Sequence, residues 1–566
     1  MNGKKLFRAL RNIDPQLILD ADPNQKRRVS HYVWIKWGAL AACLCFVIVA
    51  TVLLLIPESP VTPFPHEHVF GEWKTIKEAS CSAQGEEVRV CSCGEQENRY
   101  TALLPHFAGA WVIEKEPTIK LPTPDDPDER EPGIKCQFCE RCGAKLDEEL
   151  IPAMGSLGLA YAINPDGKTF SVAGIGNCID TDIIIPENFC GYHVTAIGKN
   201  AFKGREDIKS ITFPETITVI GERAFYECRS LESLTLPSGL LEIGNFAFSC
   251  CHLLKEIVVP QSVTKIGAGA FSEMYNLEKV VLPDALTEIA GRLFAYDIRL
   301  KEIKLPEGIT SIGEAAFYNC AIKSIDIPKS VTRIGSEAFW QCSVLASIVL
   351  PEGIEIIERD TFAYCSKLAS VTIPDSVTSI EWGAFSHCYA LSEIVIPSGV
   401  KVIGQRAFES CSALTRVVLP EGLEGIGRWA FHDCYRLSKM KIPDSVTYIE
   451  MEVFDGCTNL VQIENGVCYV DNWAVDFKRG FVDVALREGT VGIAYWTFET
   501  PGAMETLTLP NSLKHIGLRA FSDTVCLKQI LFEGTQEEWD AIHKTENWDD
   551  RLYNVVVTCI GSTEKE

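Results

Sequence analysis

Apolar residues between positions 202 and 454 recur with a period of 23, and every period is centred on a phenylalanine. One interval is shorter, at 22 residues, between Phe317 and Phe339. The phenylalanines of this register are Phe202, Phe225, Phe248, Phe271, Phe294, Phe317, Phe339, Phe362, Phe385, Phe408, Phe431 and Phe454. A period between about 20 and 50 residues predicts a solenoid, in which stacked turns share one continuous core.

A single period, LTRVVLPEGLEGIGRWAFHDC at Leu414–Cys434, shows which elements the pattern predicts. The alternation that places Val417 and Leu419 on the same side is typical of a short strand. Pro420 ends that strand, and Gly427 permits a tight bend before the next apolar group. We therefore expect strands on one side of each turn, and tight turns or short 3₁₀ segments on the other.

A cysteine follows the phenylalanine by three residues in most periods. These cysteines are Cys228, Cys251, Cys320, Cys342, Cys365, Cys388, Cys411, Cys434 and Cys457. Stacked side chains point in parallel, which is poor geometry for disulfides, and Met274 and Asp297 interrupt the column in a way that a metal site would not tolerate. We therefore expect buried thiols that pack beneath backbone carbonyls. Asp297 predicts a locally open corner or a distorted turn.

Departures from the register define the boundaries of the array. We assign 154–200 to an N-terminal cap, 201–530 to the repeats with a divergent part at 461–500, and 531–566 to a C-terminal cap and tail. The segment GLAYAINPDGKTFSVAGIG in the first cap predicts a β-hairpin. The 22-residue step removes one residue between Cys320 and Ile322, so we expect a tightened corner there with the next strand still in register.

The repeat pattern IxxIGxxAFxxCxxLxxIxIPxxV resembles the bacterial leucine-rich repeat family of the BspA type, from about Leu157 to Val557. The resemblance implies a mainly β, right-handed leucine-rich-repeat solenoid. It also implies a surface-exposed protein. Some members of the family are adhesins that bind host or matrix proteins. The ending ILFEGTQEEWDAIHKTENWD resembles the family's C-terminal cap, in which Trp539 and Trp548 would cover the last core layer.

The N-terminal part of the chain reads as a membrane anchor. Trp37–Ile56 is twenty residues long without a charge, which matches the hydrocarbon thickness of a bilayer. A cleaved signal peptide is the competing reading, but residues 1–36 are too long and basic for it, and a proline-rich linker follows at 57–65. The positive-inside rule makes 1–36 a cytoplasmic head. We expect a single-pass protein of a bacterial cell membrane with a large extracellular part.

Residues 66–153 read as two tandem small modules rich in histidine, tryptophan and cysteine, because HVFGEW parallels HFAGAW and CSCG parallels CERCG. The candidate metal ligands are Cys91, Cys93, Cys136, Cys139, Cys142, His66, His68 and His106. Thiolate and imidazole are the ligands that zinc prefers. Disulfides and unmodified thiols are the alternatives, since small extracellular modules are often disulfide-linked.

The net charge of −23 argues against nucleic-acid binding, which needs a basic face. Residues 1–36 carry +5, which leaves −28 for the rest of the chain. The sequence contains no glycine-rich phosphate loop, HExxH motif or nucleophile elbow, so we expect no enzyme. Apart from zinc in 66–153, no cofactor is expected.

Residues that the repeat leaves free to vary are the candidates for a ligand surface. The aromatic ones that we select are Trp340, Tyr364, Trp382, Tyr389, Trp429 and Tyr435. We expect an anchored protein that recognises or adheres to an extracellular protein or glycan. Two alternatives stay open: a transmembrane signalling protein with a sensor ectodomain, and a passive structural protein of the cell envelope.

Overall fold

The computed structural model describes residues 68–120, 130–151, 153–499, 503–550, 552 and 554–561. The chain divides into two compact units, one ending at Pro105 and one beginning at His106. The cytoplasmic head, the membrane helix and the proline-rich linker assigned from the sequence lie outside the described residues. Within the described ranges, no helix has the length and apolar character that crossing a bilayer requires.

Each small module is a three-stranded antiparallel sheet with one cysteine-containing turn. The strands of the first unit are Lys74–Lys77, Gly85–Val90 and Gln96–Thr101. Those of the second module are Ala108–Lys115, Gly133–Cys139 and Lys145–Ile151. In both, the turn between the last two strands carries the cysteine pair and a glycine at positive φ, Gly94 (93°) or Gly143 (72°).

The rest of the chain is a mainly β solenoid of about 17 turns with a spacing of about 23 residues, as the repeat predicted. Its first ladder, here the Ile ladder, is made of dipeptide strands that stack in parallel. They are Val219–Ile220, Glu242–Ile243, Lys265–Ile266, Glu288–Ile289, Ser311–Ile312, Arg333–Ile334, Ile356–Ile357, Ser379–Ile380, Val402–Ile403, Gly425–Ile426 and Tyr448–Ile449.

A second ladder, here the pre-proline ladder, forms from the apolar pairs before the prolines. Its strands are Asp182–Ile184, Ser210–Thr212, Glu256–Val258, Lys279–Val281, Ser347–Val349, Ser370–Thr372, Glu393–Val395 and Arg416–Val418. These strands also pair in parallel, two at a time. Both ladders place every second side chain inside the solenoid, so the alternation seen in the sequence becomes the wall of the core.

The twelve phenylalanines form one column through this core. Phe202 to Phe431 are fully buried, and Phe454 is 3% exposed. Consecutive rings stack with centroids 5.1–6.2 Å apart and with planes inclined by 3–22°. Each such contact contributes about 0.5–1.5 kcal/mol beyond the burial of its apolar area. A single turn has no second ring to meet, so the column stabilises the turns only as a stack.

The segment around each phenylalanine is a series of hydrogen-bonded turns, and the described repeats contain no 3₁₀ segment. The residues two before and two after the phenylalanine have left-handed φ, as Arg223 (52°) and Glu227 (61°) do around Phe225. This alternation points every second N–H at the next turn of the solenoid. Phe225, for example, donates to the carbonyl of Ala247 at 2.8 Å.

The glycine after the ladder isoleucine has a different role from the one expected. Gly427 does not have positive φ; a Cβ there would lie 2.8 Å from the nitrogen of Gln405 and 3.0 Å from the oxygen of Ile403. The neighbouring turn passes so closely that only a residue without a side chain fits. The tight bends themselves are made by non-glycine residues such as Trp429.

The N-terminal cap contains the predicted hairpin, with Ala160–Ile163 antiparallel to Phe170–Gly174. The second hairpin strand pairs with Tyr192–Ile197, which begins the Ile ladder. The short strands Thr118–Ile119, Arg130–Glu131 and Asn188–Phe189 extend the same sheet. The cap therefore joins the second small module to the solenoid, since Ile119 pairs with Phe189.

After Tyr448–Ile449 the turns become irregular, as the divergent sequence suggested. The strands there are Gln462–Glu464, Val467–Val470, Trp473–Phe477, Asp483–Ala485, Gly492–Ile493, Thr506–Leu509, His515–Ile516, Gln529–Phe532, His543–Lys544 and Val556–Cys559. One α-helix, Gln536–Ala541, begins at a capping box formed by Thr535 and Glu538. Trp539 of this helix is buried in the terminal core cluster, and Trp548 packs against that cluster.

The 22-residue step gives a mixed result. The Ile ladder keeps its register across it, because Ser311 pairs with Arg333 and Ile312 with Ile334. The pre-proline strand expected in the shortened turn does not form at residues 324–326. The same strand is also absent at residues 302–304 and 233–235, in turns of full length, so the missing corner residue does not account for the loss.

We predict that Gly404→Ala lowers the stability of the solenoid by about 1–3 kcal/mol, the usual effect of overpacking a close-packed interior. The new Cβ would lie 2.6 Å from the Ile380 oxygen and 2.7 Å from the carbonyl carbon of Glu381, both backbone atoms. Chemical denaturation measures the effect. Gly308→Ala is the matched control, because its Cβ meets nothing closer than 3.7 Å. Equal losses in the two variants would contradict the close-approach explanation.

Candidate functional site

The cysteine column is a structural feature of the core, as the sequence indicated. Every Sγ in it donates a hydrogen bond to the carbonyl of the phenylalanine in the preceding turn, at 2.9–3.3 Å. The same carbonyl accepts the N–H of the cysteine in its own turn, as Phe225 does from Cys228 at 3.2 Å. The thiol thus satisfies the second lone pair of a buried carbonyl.

Burial raises the pKa of thiols in this column and so favours their protonated form. It raises the pKa of Cys228, Cys342 and Cys411 to about 12, and that of Cys365 and Cys388 well above the usual value. A protonated thiol is a hydrogen-bond donor but a poor nucleophile and metal ligand. These five thiols are therefore suited to donating hydrogen bonds inside the core.

Asp297 occupies the same register and is also fully buried, so the open corner expected for it is wrong. The corner keeps its usual hydrogen bond, since the Asp297 N–H donates to the Phe294 carbonyl, but the pre-proline strand of this repeat is absent at residues 302–304. One carboxyl oxygen accepts the N–H of Met274 at 2.8 Å, while Oδ2 has no partner. Burial raises the pKa of Asp297 well above its usual range.

A row of stacked aromatic side chains crosses five consecutive turns, and we call it the aromatic ridge. Its members are Tyr296, Tyr318, Trp340, Tyr364, His387 and Tyr389. Neighbouring ring centroids are 4.3–5.8 Å apart, and the closest pairs, Tyr318–Trp340 and Tyr364–His387, are nearly parallel. Tyr296, Tyr364 and Tyr389 are 40–44% exposed. The ridge is therefore a solvent-facing, continuous apolar strip.

The ridge contains three of the six selected ligand-surface residues, namely Trp340, Tyr364 and Tyr389. Trp382 and Trp429 belong to a separate stack with arginines: Arg406 lies 5.7 Å from the Trp382 ring and 4.1 Å from the Trp429 ring. Tyr435 is 49% exposed and is in neither group. The nearby Asp433 carboxylate raises the pKa of the Tyr435 hydroxyl.

The proposed metal ligands separate into two clusters, one in each module. His68, Cys91 and Cys93 form the first, and their ligand atoms lie within 4.8 Å of one another. His106, Cys139 and Cys142 lie equally close together in the second. None of the cysteines in the described residues is joined in a disulfide.

Two sequence candidates are not in these clusters. Cys136 is fully buried, and its Sγ donates to Oε2 of Glu114 at 3.1 Å. Cys136 and Cys139 are three residues apart on one strand, and the pairing of that strand with Lys145–Ile151 shifts register between them. His66 lies outside the described residues.

Sequence reasoning left His387 out of the ridge and Glu95 out of the first cluster. The ring of His387 lies 4.3 Å from that of Tyr364. A common offset from the phenylalanine would not have found the ridge, because its members lie one, two or four residues after it. Glu95 directly follows the cysteine turn, and its contact with His68, 27 residues earlier, has no signal in the sequence.

These features define a leucine-rich repeat solenoid. The model of the family described as "BspA type Leucine rich repeat region (6 copies)" matches residues 176–299, 275–392, 383–474 and 461–542, more than half of the chain. The chain belongs to this BspA-type leucine-rich repeat family. A search of curated proteins found no match.

The chain is also similar to solved structures of bacterial repeat proteins. A leucine-rich repeat protein from Bacteroides ovatus is 23% identical, with 71% of this chain and 98% of that one covered and a TM-score of 0.47. A leucine-rich cell surface protein from Faecalibacterium prausnitzii is 26% identical, with coverage of 70% and 98% and a TM-score of 0.41. The pneumococcal vaccine antigen PcpA is 20% identical, with coverage of 73% and 99% and a TM-score of 0.31.

We predict that Asp297→Asn stabilises the protein, and increasingly so as the pH rises. The raised pKa means that the native state holds the Asp297 proton more tightly than the unfolded chain does. Above the usual aspartate pKa, near 4, wild-type stability therefore falls by up to about 1.4 kcal/mol per pH unit, and the neutral amide abolishes this loss.

Denaturation of wild type and variant at several pH values between about 4 and 8 measures the difference. Asp326→Asn, at an exposed position in the neighbouring turn, is the control and is expected to show no such trend. A stability difference between Asp297→Asn and wild type that stays constant with pH would exclude titration of Asp297 as the cause.

Proposed function

We propose that the solenoid recognises an extracellular protein, and that the aromatic ridge is the surface that contacts it. The observation that carries the proposal is the continuity of the ridge across five turns, which at the spacing of paired strands makes a strip about 20 Å long. Tyrosine and tryptophan are enriched at protein interfaces, where they supply large contact area at low entropic cost. Membership of the BspA-type family supports a recognition role and a scaffold without enzymatic activity.

The geometry of the ridge favours a protein over a glycan. Tyr318 and Trp340 cover each other's faces at 4.4 Å, and Tyr364 and His387 do so at 4.3 Å. A sugar that stacks on an aromatic platform needs a free ring face. Tyr296, Tyr364 and Tyr389 remain 40–44% exposed, and tyrosine suits both apolar and hydrogen-bonding contacts with a protein surface.

The backbone beneath the ridge is held in place before any ligand arrives. Tyr296, Tyr364 and His387 have left-handed φ values of 66°, 62° and 59°, which interturn hydrogen bonds enforce. The same left-handed φ recurs on both sides of every phenylalanine in the column, so the scaffold itself orders the backbone of the ridge. A pre-ordered surface loses little entropy on binding.

The location and the sign of the charge complete the proposal. An extracellular position is inferred from the basic head and the apolar run of residues 1–56. The remaining residues carry −28, so long-range attraction favours a ligand with a basic surface.

We predict that Trp340→Ala combined with Tyr389→Ala weakens ligand binding by more than about 10-fold, because each removes an anchor of the strip. The ligand is found by screening the full-length wild-type protein against an array of extracellular matrix proteins and glycans. The affinity of the variant is then measured for each protein that binds.

Tyr435→Ala is the matched control, since Tyr435 is as exposed as Tyr389 but lies outside the ridge. It is expected to bind like wild type, and all variants are expected to melt close to the wild-type temperature. Binding of glycans alone, or unchanged protein binding by the double variant, would refute the assignment of the ridge. A collapse of the melting transition in the double variant would assign these rings to packing.

A further inference from the structure

The small modules lack the apolar interior that stabilises the solenoid. Of the described residues between 68 and 151, only Ile119 joins a hydrophobic core cluster. All four residues of the strand Lys74–Lys77 are exposed, as are seven of the eight in Ala108–Lys115. Domains this small usually need disulfides or a metal ion to fold stably. The two His–Cys–Cys clusters lie where such a ligand would act.

The first cluster is held by a tight turn. The carbonyl oxygen of Cys91 accepts a hydrogen bond from the N–H of Gly94. The N–H of Cys91 in turn donates to the backbone carbonyl of Glu95, and both distances are 2.8 Å. Gly94 has a φ of 93°, so the turn brings Cys91 and Cys93 to the same side. Nδ1 of His68, from the start of the module, lies 3.2 Å from Sγ of Cys93.

Glu95 gives His68 the form that a metal requires. Its Oε2 lies 2.9 Å from Nε2 of His68, on the opposite side of the ring from Cys93. A carboxylate in this position holds the proton on Nε2 and leaves the lone pair of Nδ1 directed at the thiols. Metal-binding histidines commonly have such a carboxylate partner.

The second module repeats the arrangement with one more residue in the turn. The carbonyl oxygen of Cys139 accepts a hydrogen bond from the N–H of Gly143, and the N–H of Cys139 donates to the carbonyl of Ala144, again at 2.8 Å. Nδ1 of His106 lies 3.6 Å from Sγ of Cys142. Two modules with different turn lengths thus place the same three ligand types together.

A metal coordinates the thiolate form of cysteine, and in each cluster a histidine nitrogen lies beside a cysteine sulfur that can supply it.

We propose that each module binds one zinc ion, the first through His68, Cys91 and Cys93 and the second through His106, Cys139 and Cys142. Two thiolates and one imidazole select a borderline-soft divalent cation, and zinc is the one that such sets hold in tetrahedral geometry. Three protein ligands leave one position for water or a fourth residue. A disulfide within each turn is the competing state, and it gives no role to the histidines or to Glu95.

Metal analysis of the full-length protein, purified without chelator, is expected to find about two zinc ions per chain. Cys93→Ser and Cys142→Ser are each expected to remove about one, and the double variant about two. Exposed thiols outside the clusters provide the controls, Cys190→Ser and Cys526→Ser, which should retain the wild-type content. Substitution with Co²⁺ provides a direct readout, because thiolate-to-cobalt charge-transfer absorption should fall in step with the zinc content.

Several outcomes would overturn the proposal. One is zinc content near zero in the wild type, even after incubation with Zn²⁺. Another is a zinc content, or a cobalt charge-transfer absorption, that stays at the wild-type value in both cluster variants. A third is mass spectrometry showing that the turn cysteines resist alkylation until they are reduced, which would identify disulfides. Retention of the solenoid's melting transition in the variants separates a loss of metal from a general failure to fold.

Discussion

The hydrogen bonds between successive turns at the phenylalanine segment are the constraint on which the rest of the structure depends. They require left-handed φ on both sides of every phenylalanine, as in Arg223 and Glu227, although neither residue favours it. A lone turn could not hold that conformation, since its N–H groups donate to the next turn. The stacked rings therefore offset the strain of the left-handed residues only in an array. The stability of the solenoid is accordingly a sum over neighbouring turns.

This constraint explains the residues that accompany the phenylalanine. Closely spaced turns bring each phenylalanine carbonyl within reach of the thiol of the following turn, so cysteine fits where most polar side chains would be too large or charged. Asp297 shows the consequence of breaking the rule, since it is buried with one carboxyl oxygen unpaired. The same spacing excludes a Cβ at Gly427, because backbone atoms of the adjacent turn lie within 3.0 Å of it.

The repeated part of the fold could be predicted because each inward position recurs in every turn, so the buried phenylalanines, the thiol column and the two ladders follow from the period. The backbone of the turns could not, because residues with left-handed φ are as varied as Trp429 and Ala315. The candidate sites were found only in part. Spacing alone grouped Cys136 with Cys139, whereas the structure places Cys139 beside His106 and Cys136 against Glu114. The sequence identified only part of the aromatic ridge, because its side chains lie at different offsets from the phenylalanine. The left-handed turns bring these side chains together.

In these turns the backbone supplies stability, and the variable side chains supply the surface. Because stability comes from backbone hydrogen bonds and the buried column, the residues beside the phenylalanine are free to differ between turns. They form an aromatic ridge in one region and an arginine–tryptophan stack in another, on the same scaffold. The small modules lack such a buried column, since little apolar surface is buried there. The cysteines of their turns lie beside histidines, whereas those of the solenoid column donate to backbone carbonyls, which is why metal binding is proposed for the modules alone.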